Sequence, residues 1–130
     1  MSYDRDHYEA LIRRYFQAVD EERIQDILDC FTDDGSIQFA FMDVPAHGRD
    51  ALRTLFTEHV GRFREHADVV TRVLVQGDRG SSEVAFDGLT HDGRPVHLEN
   101  CNFYSFRNGK FERVTVYLDT VTLARQLGGA

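Results

Sequence analysis

A lasting change in the apolar period of this chain sets what the chain can fold into. Apart from one short strand, the apolar side chains recur at helical spacing up to about residue 64, and from Asp68 onward they alternate. Tyr8, Leu11, Ile12, Tyr15, Phe16 and Val19 follow the i, i+3, i+4, i+7 pattern of one helical face. Asp6 with Glu9 forms a capping box for this helix, with Asp4 as the alternative start. Asp20 is placed to cap a second helix, whose apolar face is Ile24, Ile27, Leu28 and Phe31 and which Asp33-Asp34-Gly35 stops. Ser36 to Met42 is a short strand with Ile37, Phe39 and Phe41 on one face, and residues 44–48 form a Pro- and Gly-containing loop. A third helix covers residues 50–64, with Leu52, Leu55, Phe56, His59, Val60 and Phe63 along its inner stripe.

The second half reads as four antiparallel strands: 68–76, 82–90, 95–106 and 111–118. Its strongest local signal is Asn108-Gly109, because a two-residue type I′ hairpin turn needs positive φ at both central positions. Residues 121–127 add one or two helical turns. Helices gathered on one face of an antiparallel sheet make an α+β domain. Here the expected form is a cone-shaped α+β barrel, a curved and mainly antiparallel sheet wrapped around three N-terminal helices. The first helix, the third helix and the last strands would line its cavity.

At 130 residues, with no repeat or low-complexity linker, the chain is expected to be one domain, 1–130. Its 15 Lys and Arg against 22 Asp and Glu leave a net charge of -7, which argues against a nucleic-acid partner or an anionic membrane surface. The polar N-terminus and the absence of any long apolar run lead us to expect a cytoplasmic protein with no membrane segment. Two cysteines, Cys30 and Cys101, are too few for a disulfide framework.

The strand at 95–106 carries Asn100, Asn102 and Tyr104 at period two, so all three share one face. Asn is depleted in strands and unfavourable to bury without hydrogen bonds, so one of Asn100 and Asn102 is expected to face a ligand or an ordered water. Tyr15 lies on a core-facing stripe, where it is either a ligand contact or a core residue with a satisfied hydroxyl. Asp119 is the first choice for a base, since a carboxylate at the mouth of an aromatic cavity is desolvated and its pKa raised. The competing reading makes Asp119 the cap of the short helix beginning near Thr120, and alternation from Leu118 points it away from the cavity. Phe39, Phe56, His59, Phe63, Phe86, Tyr104, Asn100 and Leu118 are the expected pocket walls. His59 and His66 lack i, i+4 spacing, and His97-x-Glu99 faces the opposite side of its strand, so neither a metal nor another cofactor is expected.

"RRYFQAVDEERIQDILDCFTDDGSIQF", "HGRDAL", "FRNGKF" and "VYLDTVTLARQLG", in this order and spacing, resemble the nuclear-transport-factor-2-like superfamily. The resemblance covers about residues 6–127 and is to the branch holding ketosteroid isomerases and SnoaL-like polyketide cyclases. It implies that Tyr15 stands where the isomerases keep an oxyanion donor, and Asn102 where they keep a protonated aspartate. Phe39 stands where they keep their catalytic aspartate, which speaks against steroid isomerisation by that route. Asp119 matches the terminal-strand base of the cyclases and epoxide hydrolases, whereas Asn100-Cys101-Asn102 replaces the hydrolases' Arg-x-Asp pair.

The resemblance therefore implies a protein that binds a hydrophobic polyketide-, steroid- or terpenoid-like molecule. Its chemistry would be cofactor-free cyclisation or isomerisation by proton abstraction next to a carbonyl, with Asp119, Tyr15 and Asn102 as the catalytic set. A non-catalytic ligand-binding or dimerising accessory domain is the alternative, and a hydrolase or dehydratase pairing His59 with Asp119 is a third. It further implies a homodimer formed through the outer face of the sheet.

Overall fold

The computed structural model describes residues 3–128. Helix α1 spans Arg5–Asp20, α2 Ile24–Asp29, α3 Arg49–Gly61 and α4 Thr120–Gln126. The strands are β1 Phe31–Phe39, β2 Ala46–His47, β3 Glu65–Gln76, β4 Arg79–Leu89, β5 Pro95–Arg107 and β6 Lys110–Tyr117. They form one curved sheet of six in the order β2-β1-β6-β5-β4-β3, whose edges do not meet. It is mixed: β1 runs parallel to β6 and every other pair is antiparallel. The helices cover its concave face, as expected for an α+β cone. No helix among the described residues is long and apolar enough to cross a membrane.

Asp4 is the cap of α1, its carboxylate accepting from the His7 N–H at 2.9 Å. All six apolar positions of the helical stripe are buried. The β5–β6 hairpin turns at Asn108 (φ 53°) and Gly109 (φ 81°), the left-handed geometry that the Asn-Gly pair foretold. Inward-facing β5 residues Asn100, Asn102 and Tyr104 alternate with exposed His97 and Glu99 and half-exposed Cys101.

Three local expectations are corrected. Phe31 is the first residue of β1 and not the last apolar residue of α2, so the strand starts five residues before Ser36. The cause is tertiary: the Phe111 N–H donates to the Cys30 carbonyl at 2.8 Å, and Phe31 pairs with Phe111. The intervening Asp33-Asp34-Gly35 sits in a register shift of the β1–β6 pair rather than ending a helix. Gly35 is needed there, because a Cβ would lie 3.0 Å from the Thr32 carbonyl and 3.1 Å from the Phe31 ring. Second, Asp20 ends α1 and caps nothing; α2 starts after Arg23 without a side-chain cap. Third, β1 stops at Phe39, so Phe41 is an exposed loop residue, and part of the 44–48 loop pairs with β1 as β2.

One end of the cone is filled. Tyr15 meets Phe31, Phe56 and Phe111 edge to face, at ring-centroid separations of 6.0, 6.0 and 5.3 Å. Tyr8, Phe106, Phe111 and Tyr104 continue the cluster as stacked rings. Such aromatic pairs add about 0.5–1.5 kcal/mol each beyond their area burial.

Candidate functional site

The other end of the cone is open inside. A cavity of about 580 Å³ lies between the end of β1, α3, the inner faces of β4 and β5, and α4. Phe39, Phe63, Phe86, Leu98 and Leu118 form its apolar walls, with Leu123 of α4 and Leu127 just after it also lining the space. This volume lies in the range typical of small-molecule sites, about 300–1,000 Å³.

The polar groups reach it from several places. Helix α3 contributes Thr54, Glu58 and His59, its C-cap contributes Arg62, β5 contributes Asn100, and Thr90 follows β4. The His59 ring lies 5.6 Å from that of Phe39, and burial, reinforced by the charges of Arg62 and His66, pushes its pKa down to about 4. It is therefore neutral at pH 7, and can accept a proton or a hydrogen bond. The buried Asn100 Oδ1 has no hydrogen-bond partner. Two residues deeper on the same strand face, Asn102 donates from Nδ2 to the Tyr104 hydroxyl at 3.3 Å, while its Oδ1 is also unpartnered. The Tyr104 hydroxyl in turn shares a 2.6 Å hydrogen bond with Ser82. Burial pushes the Tyr104 phenol up to about 12, so it stays neutral.

Six of the expected wall residues meet here: Phe39, His59, Phe63, Phe86, Asn100 and Leu118. Phe56 and Tyr104 do not; both are packed into the aromatic cluster at the filled end. Tyr15 is buried in that cluster too, so α1 contributes nothing to the wall. Burial, with Tyr104 and Asp68 nearby, holds its phenol well above the usual value.

Asp119 lies outside the cavity. It is the N-cap of α4, accepting from the Thr122 N–H at 3.0 Å and from the Thr122 hydroxyl at 2.6 Å. These bonds hold its pKa below the usual carboxylate value, the opposite of what a desolvated base needs. The alternation from Leu118 prevails: Leu118 points in, and Asp119 faces an outer cleft shared with Cys101 and Tyr117. His59 and Asp119 thus line different hollows.

Glu58, Arg62 and the α4 leucines were missed in the sequence. Thr54, Glu58 and Arg62 repeat every four residues beside His59, and that spacing was the available signal. On the outer sheet face the His97 ring bridges Asp87 (2.7 Å) and Glu99 (3.2 Å). No group of three or more His, Cys, Asp or Glu side chains among the described residues is arranged to hold a metal ion.

Comparison with known proteins agrees with this architecture. The sequence profile described as "SnoaL-like domain" matches residues 12–114. A solved structure from a Jannaschia species, described as a SnoaL-like polyketide cyclase, superposes with a TM-score of 0.87 at 13% identity, covering 98% of this chain and 99% of that one. TsrD from Streptomyces laurentii gives 0.84 at 18% identity, covering 98% and 99%. The epoxide hydrolase/cyclase-like enzyme SalBIII, of pyran ring formation in the polyether salinomycin, gives 0.82 at 18% identity, covering 92% and 95%. At such identities the likeness is one of fold.

Proposed function

The chain belongs to the SnoaL-like domain family and has the nuclear-transport-factor-2-like fold, and from that premise we propose that it binds a hydrophobic small molecule carrying a hydroxyl or enol group. Polyketide-, steroid- and terpenoid-like compounds are of the size the cavity takes. One observation carries the reading: a buried amide oxygen, Asn100 Oδ1, stands without a partner on an otherwise largely apolar wall. An unpaired buried acceptor costs about 1–3 kcal/mol, and a ligand hydroxyl donating to it recovers that cost. Neutral His59 offers a second acceptor or donor.

The test is a thermal-shift series of polycyclic phenols and their deoxy counterparts against wild type and Asn100→Leu. Ligand at 100 times its dissociation constant stabilises by about 2.7 kcal/mol, a rise of about 2–8 °C for a domain of this size. Wild type should prefer each phenol to its deoxy partner, and Asn100→Leu should lose the preference. Equal binding of the pairs by wild type would overturn the reading, as would a panel that binds nowhere.

His59 in the cavity wall favours a second reading, cofactor-free cyclisation or isomerisation. The neutral imidazole takes a proton from carbon next to a ligand carbonyl and returns it at another position, while the Asn100 amide N–H stabilises the enolate oxygen. His59→Gln would then abolish turnover yet leave ligand-induced thermal shifts in place. Asp119 has no part in this route. We also propose pairing of two copies through the outer sheet face, where Val69, Leu74, Phe103 and Tyr117 are exposed. Light scattering of wild type and Phe103→Lys tests it, with a monomeric wild type as the refuting result.

A further inference from the structure

Away from the cavity, two acidic residues lie where neither the fold nor the proposed chemistry requires charge. Asp20 ends α1, and Asp68 lies on the inward face of β3, the strand against which α1 packs most extensively. The Asp68 N–H donates to Asp20 Oδ1 at 2.9 Å, which sets the two carboxyl groups side by side at the α1–β3 seam. Two carboxylates brought this close repel one another unless one of them carries a proton.

Nothing around the pair replaces that proton. Tyr15 of α1 and Tyr104 of β5 face it as neutral phenols, and Glu21 from the turn after α1 adds negative charge. His66, two residues before Asp68 on the same strand face, is the nearest basic group. Its ring is itself engaged by Glu22, Nε2 to Oε1 at 3.6 Å. Among the described residues no lysine or arginine forms a salt bridge with either aspartate.

We propose that the Asp20–Asp68 carboxyl pair is a proton-sharing latch between α1 and β3, holding that seam while one proton bridges it and weakening it when both groups ionise. Asp68 pairs across the sheet with Phe86, a wall of the cavity, so the latch stands one residue from the binding site without belonging to it. Burial, followed by the neighbouring Asp20 carboxyl, pushes Asp68 up to about 8, and burial raises Asp20 as well.

A carboxyl whose pKa is raised on folding contributes stability that is full below its unfolded value of 3.8 and is lost as pH rises through about 8. Chemical denaturation of wild type, Asp68→Asn and Asp20→Asn between pH 5 and 9 tests the latch. Relative to Asp68→Asn, the wild-type folding constant should fall by up to about tenfold per pH unit below pH 8 and level off above it. Asp68→Asn, whose amide donates to Asp20 without needing a proton, should lack that fall and be the more stable protein at pH 8. Parallel pH profiles for wild type and Asp68→Asn would overturn the proposal. Carboxyl carbon NMR titration of wild type provides a check that needs no variant. One aspartate resonance with a midpoint near 8 is expected, and complete carboxyl titration below about pH 5.5 would refute the latch.

Discussion

The two ends of the cone are built from the same kinds of side chain and reach opposite outcomes. At one end Tyr15, Phe31, Phe56 and Phe111 interlock, with Tyr15 and Phe31 each within 6.0 Å of the other three rings. At the other, Phe39, Phe63 and Phe86 stand around about 580 Å³ of space. The filled end is crossed by α1, whose whole apolar stripe drops onto the sheet. The open end is covered only by the edge of α3 and the seven-residue α4, which buries no residue of its own. Aromatic content therefore does not distinguish a core from a pocket. What distinguishes them is whether a helix face lies opposite the sheet, and whether polar atoms there have partners.

That contrast is easiest to break with large-to-small substitutions. Phe111→Ala, at a position with no exposure, should cost about 3–5 kcal/mol in urea denaturation, because the packed rings cannot collapse onto the void. Phe86→Ala should fall below that range, since its ring already borders empty volume. Equal losses would mean that the open end is as tightly packed as the filled one.

The glycines give the next largest effect. A Cβ at Gly35 would meet the Thr32 carbonyl at 3.0 Å, and one at Gly88 would meet the Phe86 ring at 2.9 Å and the Phe63 ring at 3.0 Å. Overpacking costs about 1–3 kcal/mol. Gly35→Ala should sit at the upper end, because backbone cannot yield. Gly88→Ala should cost less, because both rings can swing into the cavity, and it should weaken ligand binding by filling that space.

A further effect is confined to acid and is absent at neutral pH. The fold lowers the His59 pKa to about 4 from 6.5, so its contribution is present above pH 6.5 and is lost as pH falls toward 4. His59→Gln should flatten that limb of the stability profile, and an unchanged limb would show that His59 is solvated. The smallest effect is expected at Asp119. Asp119→Ala should fray α4 and lower the melting temperature slightly, with ligand binding little changed, whereas complete loss of binding or turnover would return Asp119 to the site.

Much of the fold was legible because it is written in local periods. The helical stripe from Tyr8 to Val19, the alternation from Asp68, and the Asn108-Gly109 turn each depend on neighbours within a few residues. The cavity was half legible: alternation places Asn100 and Leu118 inward, and the helical period places His59 on the inner side of α3, whereas Phe63 reaches the cavity from just beyond the helix, which ends at Gly61 and not at residue 64. It could not separate Phe56 from His59 or Tyr104 from Asn100, since each pair shares a face and differs only in what packs across from it.

The sequence by itself determined the long helices, the four strands of the second half with their hairpin turn, and which side of those strands faces in, because these follow from backbone sterics and side-chain periods of 3.6 and 2. Only the tertiary structure decided that Phe31 leaves its helix to pair with Phe111, that Tyr15 enters the filled end, and that Asp119 caps α4 on the outside. It alone brought Asp68 to Asp20, 48 residues earlier in the chain. Those outcomes depend on sheet curvature and on which helix face lies opposite each strand, and both are set by contacts between residues far apart in sequence.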